Sequence, residues 1–272
     1  MVRVKAITWR ARATVLDAAD RVRGRSGPLT PPRRLRTGDY SDFDRLGGEF
    51  RDLFIRLGGL KPDHAVLDIG CGPGRMAVPL TGWLTGAYRG FDLVADEVAW
   101  CQRHITPRHP NFLFERADVR NARYNPTGGA LASEYSFPYA AGEFDFAFAT
   151  SVFTHMLPDD VERYLAELGR VLKPSGRALL TWFLMTDRSR AALPTERFSF
   201  ATQVGNASVN DPSSPEAAVA YPREWVERAL DIAGLRAESV HPGGWCGTPD
   251  PPTWQDVMVV SRQSSSTLAG SS

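Results

Sequence analysis

The densest chemistry in this 272-residue chain lies in Asp68-Ile69-Gly70-Cys71-Gly72-Pro73-Gly74-Arg75. Glycines at these positions permit a tight turn and let a ligand approach the backbone closely. The spacing is Gly-x-Gly-x-Gly and not Gly-x-Gly-x-x-Gly, because Arg stands at position 75. Loops of the second kind seat a pyrophosphate on a helix N-terminus. Here Asp68 would oppose a phosphate and suits an amino group. Asp92 follows 18 residues after Gly74. A carboxylate at about 20 residues can accept both hydroxyls of a ribose. Asp118, in Ala117-Asp118-Val119, could accept an adenine amine while Val119 packs on the ring edge. Taken singly, each acid reads as a helix N-cap or turn residue.

These residues need elements to bring them together. Short apolar runs at 65–69, 87–91, 112–116, 145–150 and 177–183 read as strands, with helical segments near 75–84, 94–105 and 159–172. Strands alternating with helices imply a parallel sheet with crossover helices. The three acids then stand at three successive strand ends, outside the carboxyl edge, where open sheets bind ligands. Ahead of the sheet, Phe43, Leu46, Phe50, Leu53, Phe54 and Leu57 recur at helical spacing, closed by Gly58-Gly59. Residues 187–221 hold three prolines and many Ser, Thr and Asn without periodicity, which marks a lid, a binding loop or a disordered insert. A helix at 222–233, strands at 236–241 and 255–261, and a Gly/Pro-rich loop between them suggest a final antiparallel pair.

Together these features resemble the class I S-adenosylmethionine-dependent methyltransferases. The resemblance spans roughly 60–185: Asp-x-Gly-x-Gly-x-Gly, the acid at the second strand, Asp-Val after the third, Phe-Asp opening the fourth, and Leu172-Lys173-Pro174-Ser175-Gly176 before the fifth. Ser175 departs from the family's usual glycine, at a turn away from the cofactor. The resemblance implies an α/β, Rossmann-like, seven-stranded, mostly parallel sheet with an antiparallel last strand and helices on both faces. It implies S-adenosyl-L-methionine as cofactor, bound by Asp68, Gly70, Gly72, Gly74, Asp92, Leu93, Asp118, Val119 and Ser151. It divides the chain into a basic arm (1–40), a methyltransferase domain (41–262) and a polar tail (263–272). Ala99-Trp100-Cys101, Tyr124-Asn125-Pro126, Ser151-Val152-Phe153-Thr154-His155-Met156 and Trp254-Gln255-Asp256 further resemble a bacterial subgroup acting on sugar hydroxyls of glycans and polysaccharide precursors. A phenolic or polyketide acceptor is the alternative, and a non-catalytic cofactor-binding module a third reading. A nicotinamide dehydrogenase fits less well, given Arg75 and Asp68.

Methyl transfer to an alcohol requires removal of its proton, or a metal that acidifies it. In the family, residues after the fourth strand face the methyl group, which makes His155 the first candidate base and His241, before Pro242-Gly243-Gly244, the second. A packed or capping histidine is the plain alternative for each. Asp159-Asp160 after Pro158 read first as helix-start acids. Asp256 with Asp159 or Asp187 could form an oxygen-ligand magnesium site, but no ligand set is convincingly spaced, so a divalent metal stays open. Among Tyr40, Trp182, Trp245 and Trp254, the glycine-rich loop around Trp245 marks it as the expected pocket wall.

Composition bounds the rest. The chain is 43% hydrophobic and 23% charged, close to globular proteins, which excludes wholesale disorder. It contains no apolar run long enough to cross a membrane and no signal-peptide core. Cys71, Cys101 and Cys246 suit neither a disulfide framework nor a zinc site, so a reducing cytoplasm is expected. The net charge of +1 is uneven, with ten basic and two acidic side chains in residues 1–36. Such an arm is a solvated helix and linker, a transit segment, or a weak contact for a membrane surface. No aromatic or glycine pattern accompanies the charge, so nucleic acid is not an expected partner. The expected partner is a small-molecule or oligosaccharide acceptor.

Overall fold

The computed structural model describes residues 13–20, 22, 27–36, 43–195 and 197–263. Seven strands form one sheet: β1 (Val66–Ile69), β2 (Tyr88–Asp92), β3 (Phe112–Arg116), β4 (Phe144–Ala149), β5 (Leu172–Trp182), β10 (Leu235–His241) and β11 (Asp256–Arg262). Their order is β10-β11-β5-β4-β1-β2-β3. Only β11 runs antiparallel to its neighbours, β5 and β10. The expected architecture is therefore present. All four residues of β1 are buried, as a parallel strand covered on both faces requires. β1 lies between β2 and β4, so the chain leaves it in opposite directions, and the switch point opens a crevice at its carboxyl end.

Two apolar layers hold the sheet. Leu67, Ile69, Ala147 and Leu180 face one layer with Phe153, Tyr164 and Trp182. Val66, Phe146, Phe148 and Leu179 face the other with Phe54, Tyr88 and Phe112. The predicted helices at 43–57, 94–105, 159–172 and 222–233 appear as α1 (Phe43–Arg56), α2 (Ala95–His104), α3 (Pro158–Val171) and α5 (Arg223–Ile232).

The expected helix at 75–84 does not form. Only a 3-10 turn, Val78–Leu80, interrupts successive turns. Pro79 supplies no N–H to a helical ladder. At Gly47, α1 passes so close that a Cβ there would lie 2.5 Å from the Arg75 carbonyl oxygen.

Residues 187–221 are also more ordered than their composition suggests. They contain helix α4 (Asp187–Ala192), β7 (Thr202–Val204), β8 (Ala207–Val209) and β9 (Val219–Pro222). With β6 (Leu184–Met185) these strands form a second sheet, in the order β6-β9-β8-β7. Gly205-Asn206 is a two-residue hairpin loop, with Gly205 at φ 56°, as tight hairpins require. Strands of three residues are too short to show alternation, which hid them in the sequence. Phe183, Phe198, Phe200 and Trp245 form an apolar cluster against this second sheet.

Within the basic arm, Arg33 pairs with Asp20 at 2.6 Å, and its backbone N–H donates to Asp17 at 2.9 Å. Residues 1–12, 21, 23–26 and 37–42 (Tyr40 among them) and the tail 264–272 lie outside the described residues, as does most of the expected membrane-contact surface. No helix of the described residues is long and apolar enough to cross a membrane.

Candidate functional site

A cavity of about 550 Å³ opens at the carboxyl edge of β1, between the glycine loop, the strand ends and the segment 187–221. Gly70 and Gly72 form its floor, with φ 79° and 51°. A Cβ on Gly70 would lie 2.5 Å from Val152 Cγ2, so only glycine fits there. Asp92 reaches into the same wall. Its Oδ2 accepts the Gly72 N–H at 2.8 Å and its Oδ1 accepts the Val94 N–H at 2.9 Å. The Leu93 N–H also bears on the carboxylate. Burial raises the Asp92 pKa against these N–H bonds. Leu93 and Val119 supply apolar wall on either side.

Three expected cofactor residues stand elsewhere. Asp68 alternates with Ile69 along β1, so it faces the layer behind the loop. It is fully buried, accepts the Tyr88 hydroxyl through Oδ2, and has no partner on Oδ1. Burial pushes its pKa up to about 8. Gly74 stands behind the loop too: a Cβ there would lie 2.6 Å from Ile105 Cδ1. Asp118 is exposed. It accepts from Arg116 at 3.2 Å and Asn125 at 3.4 Å and lies off the cavity wall, because residues 120–130 fold back onto it.

Glu97 was not read from the sequence, where it looks like any acid in a first helical turn. The structure turns it under the glycine loop, buried on the cavity wall. Burial, with Asp92 and Asp96 nearby, pushes its pKa up to about 8. This side of the cavity thus presents two acidic side chains, Asp92 and Glu97, beside a glycine floor. Both acids suit hydroxyls, and Arg75, Arg120, Arg123 and Arg197 line the same cavity.

Across the cavity, β4 ends in Thr150 and Ser151. Ser151 takes φ 58°, a conformation that costs a non-glycine residue about 1–3 kcal/mol and collects at functional sites. Its N–H donates to Thr181 Oγ1 at 2.7 Å and its hydroxyl to Gln255 Oε1 at 3.0 Å. His155 follows on the wall. Its Nδ1 lies 2.9 Å from the Glu216 carbonyl oxygen. A carbonyl only accepts, so the ring proton sits on Nδ1 and Nε2 keeps its lone pair. Burial lowers the His155 pKa, and Arg123 adds to the effect. Tyr124 packs edge-on to the ring at 5.6 Å. Asp160 also lines the cavity, a role its helix-start position hid.

The other candidates fall away from the site. His241 lies off the wall, within hydrogen-bond distance of Ser239 at 3.0 Å. Trp245 is 1% exposed and donates its indole N–H to Asp256 at 2.8 Å. The aromatic on the cavity mouth is instead Trp254, 48% exposed. Asp256 also accepts the N–H groups of Leu184 and Gly243, each at 2.7 Å. Its carboxylate is thus committed to the loop. Among the described residues no group of three or more His, Cys, Asp or Glu is placed to hold a metal ion.

Residues 67–180 match the profile of a family described as a methyltransferase domain. That match covers less than half of the chain, so it shows a similarity of this stretch to that family. An O-methyltransferase of Penicillium expansum, cnsE, is 26% identical over 133 residues, 48% of this chain and 41% of that protein. The matched stretch spans less than half of the curated relatives' own length. Among solved structures, the PH0226 protein of Pyrococcus horikoshii OT3 superposes with TM-score 0.55 at 18% identity, over 82% of this chain and 95% of that one. The 1,6-didemethyltoxoflavin-N1-methyltransferase of Burkholderia thailandensis, solved with its toxoflavin ligand and S-adenosylhomocysteine, does so with TM-score 0.50 at 17% identity, over 82% and 79%. Likeness at this identity shows the fold.

Proposed function

We propose that the protein is an S-adenosylmethionine-dependent O-methyltransferase that methylates a sugar hydroxyl of a glycan or polysaccharide precursor, with His155 as general base. The observation that carries this reading is the His155 ring, whose Nδ1–H is committed to Glu216 and whose Nε2 is left unprotonated on the cavity wall. When bound, S-adenosylmethionine supplies a methyl group on a sulfonium, already a strong electrophile.

Gly70 and Gly72 give the cofactor close backbone approach. Asp92 accepts its ribose hydroxyls, and Leu93 and Val119 flank its base. Ser151, held by Thr181 and Gln255, shapes the wall where the two ligands meet. Asp68, Gly74 and Asp118 act at one remove, by holding the loop and its neighbours. His155 Nε2 takes the hydroxyl proton as the oxygen attacks. Much of the remaining acceleration is positioning. Trp254, half-exposed at the mouth beside Gln255 with the Arg197 guanidinium over its ring at 6.0 Å, is the aromatic placed to contact a sugar. A second reading, a phenolic or polyketide acceptor, is favoured by Phe183 and Phe198 on the same wall.

The test is His155→Ala. General-base assistance is worth about 10²–10⁴ in rate, so kcat should fall by at least about 10²-fold while S-adenosylhomocysteine affinity stays within about twofold. A variant that keeps most of its kcat removes His155 from the mechanism.

A further inference from the structure

We propose that Glu216 is a positioning residue: its carboxylate clamps the lid to the loop after β3, so that its own carbonyl meets the His155 ring and keeps the proton on Nδ1. The catalytic consequence rests on His155 being the base; the structural consequence does not.

Glu216 makes two contacts in opposite directions from one short turn, Pro215–Ala217. Its Oε2 accepts the Ala122 N–H at 2.7 Å, and its carbonyl oxygen accepts the His155 Nδ1–H at 2.9 Å. The receiving loop is itself braced. Asn121 Oδ1 accepts the N–H groups of Arg123 and Tyr124 at 3.1 and 3.0 Å, and its amide donates to the His155 carbonyl at 3.3 Å. The lid is tied a second time by Tyr221, whose hydroxyl donates to the Met156 carbonyl at 2.6 Å. That bond holds β9, however, and leaves the turn before it to be placed by the carboxylate. Among the described hydrogen bonds, Glu216 is what joins this turn to the loop that walls the cofactor side.

A neutral imidazole in water favours the proton on Nε2, which is the wrong tautomer for a base that must act through Nε2. A carbonyl fixed opposite Nδ1 reverses that preference. A fixed carbonyl requires a fixed turn. Backbone bonds close the turn locally, Ala217 N–H to Ser214 at 2.9 Å and Ser214 N–H to Asp211 at 3.1 Å, and Asn210 N–H to the Ala218 carbonyl at 3.2 Å ties its end to the residue after β8; none of these bonds reaches the loop after β3. A carboxylate on a backbone N–H is a charge-assisted bond, stronger than a neutral one.

The experiment uses the full chain loaded with S-adenosylhomocysteine and ¹⁵N-labelled on histidine. Long-range ¹H–¹⁵N correlation reads which ring nitrogen is protonated, and His155→Ala assigns the signal. Wild type should show the Nδ1–H form. Glu216→Ala should move His155 toward Nε2–H and lower kcat about tenfold, the equivalent of ~1.4 kcal/mol, with S-adenosylhomocysteine affinity within about twofold. Glu216→Gln should restore both, because its amide oxygen still accepts from Ala122. Glu216→Asp keeps the charge but draws it back by one methylene, so it should behave as Glu216→Ala; it provides the same readout if the alanine variant does not fold. An unchanged tautomer in Glu216→Ala or Glu216→Asp, or a glutamine variant no better than either, overturns the proposal. If the tautomer moves but His155→Ala retains activity, the positioning stands and the base assignment falls.

Discussion

Asp92→Asn separates a ribose-binding carboxylate from a merely structural one. An ionised carboxylate has about four lone-pair sites, and Asp92 gives one from each oxygen to Gly72 and Val94. The Leu93 N–H also bears on the carboxylate, and the acceptor capacity that remains faces the cavity. Asparagine keeps one accepting oxygen and turns an NH₂ toward the other side. It therefore loses one acceptor toward the cavity and the negative charge on both. A hydrogen bond to a charged group is worth about 1.5–3 kcal/mol, so S-adenosylhomocysteine should bind about 10–100-fold more weakly. The fold should survive. One backbone N–H is left facing an NH₂, at about 1–3 kcal/mol. Part of this is offset, because burial already disfavours the charge that the substitution removes. Calorimetric titration reads the affinity and a thermal melt on the same samples reads the fold. Asp118→Asn is the matched control, since Asp118 is exposed and paired with Arg116; surface pairs are worth about 0–1 kcal/mol. Equal affinities for wild type and Asp92→Asn, or a larger loss at Asp118 than at Asp92, would refute the assignment.

Two further outcomes follow from the geometry. Burial and Arg123 lower the His155 pKa, so its neutral, proton-accepting form persists below the ordinary value of about 6.5; the acidic limb of the kcat–pH profile should lie below that value, and a limb at or above it contradicts the reading. Trp254→Ala should raise the acceptor KM and spare stability. Trp245→Phe should do the reverse, because it strips a buried N–H from Asp256, at about 1–3 kcal/mol, and a urea melt beside the kinetics distinguishes the two.

The sheet was legible because β1, β4 and β5 are buried runs bounded by glycine turns, and because helix-period segments separate them. The meeting of Gly70, Gly72 and Asp92 on one cavity wall was legible because it depends only on one loop and one strand end. What stayed hidden depends on direction. Asp68 and Ile69 are neighbours in sequence but point to opposite layers, and nothing local says which layer holds the ligand. Glu97 turns back under a loop 25 residues away. Trp245 and Trp254 sit in the same glycine-rich loop, and only the buried Asp256 explains why the first turns inward. The partner of His155 comes from a lid turn 61 residues on, inside a segment whose strands are too short to leave a periodic trace.

The most direct test of the account is the fate of a labelled methyl group. Purified protein is incubated with S-adenosylmethionine labelled in its methyl carbon and with sugar and phenolic acceptors, and the product linkage is determined. The account predicts one S-adenosylhomocysteine per methyl transferred and the label in an alkali-stable methyl ether, formed by wild type and lost with His155→Ala. Label attached to nitrogen, sulfur or carbon, or ether formation undiminished in His155→Ala, would contradict it.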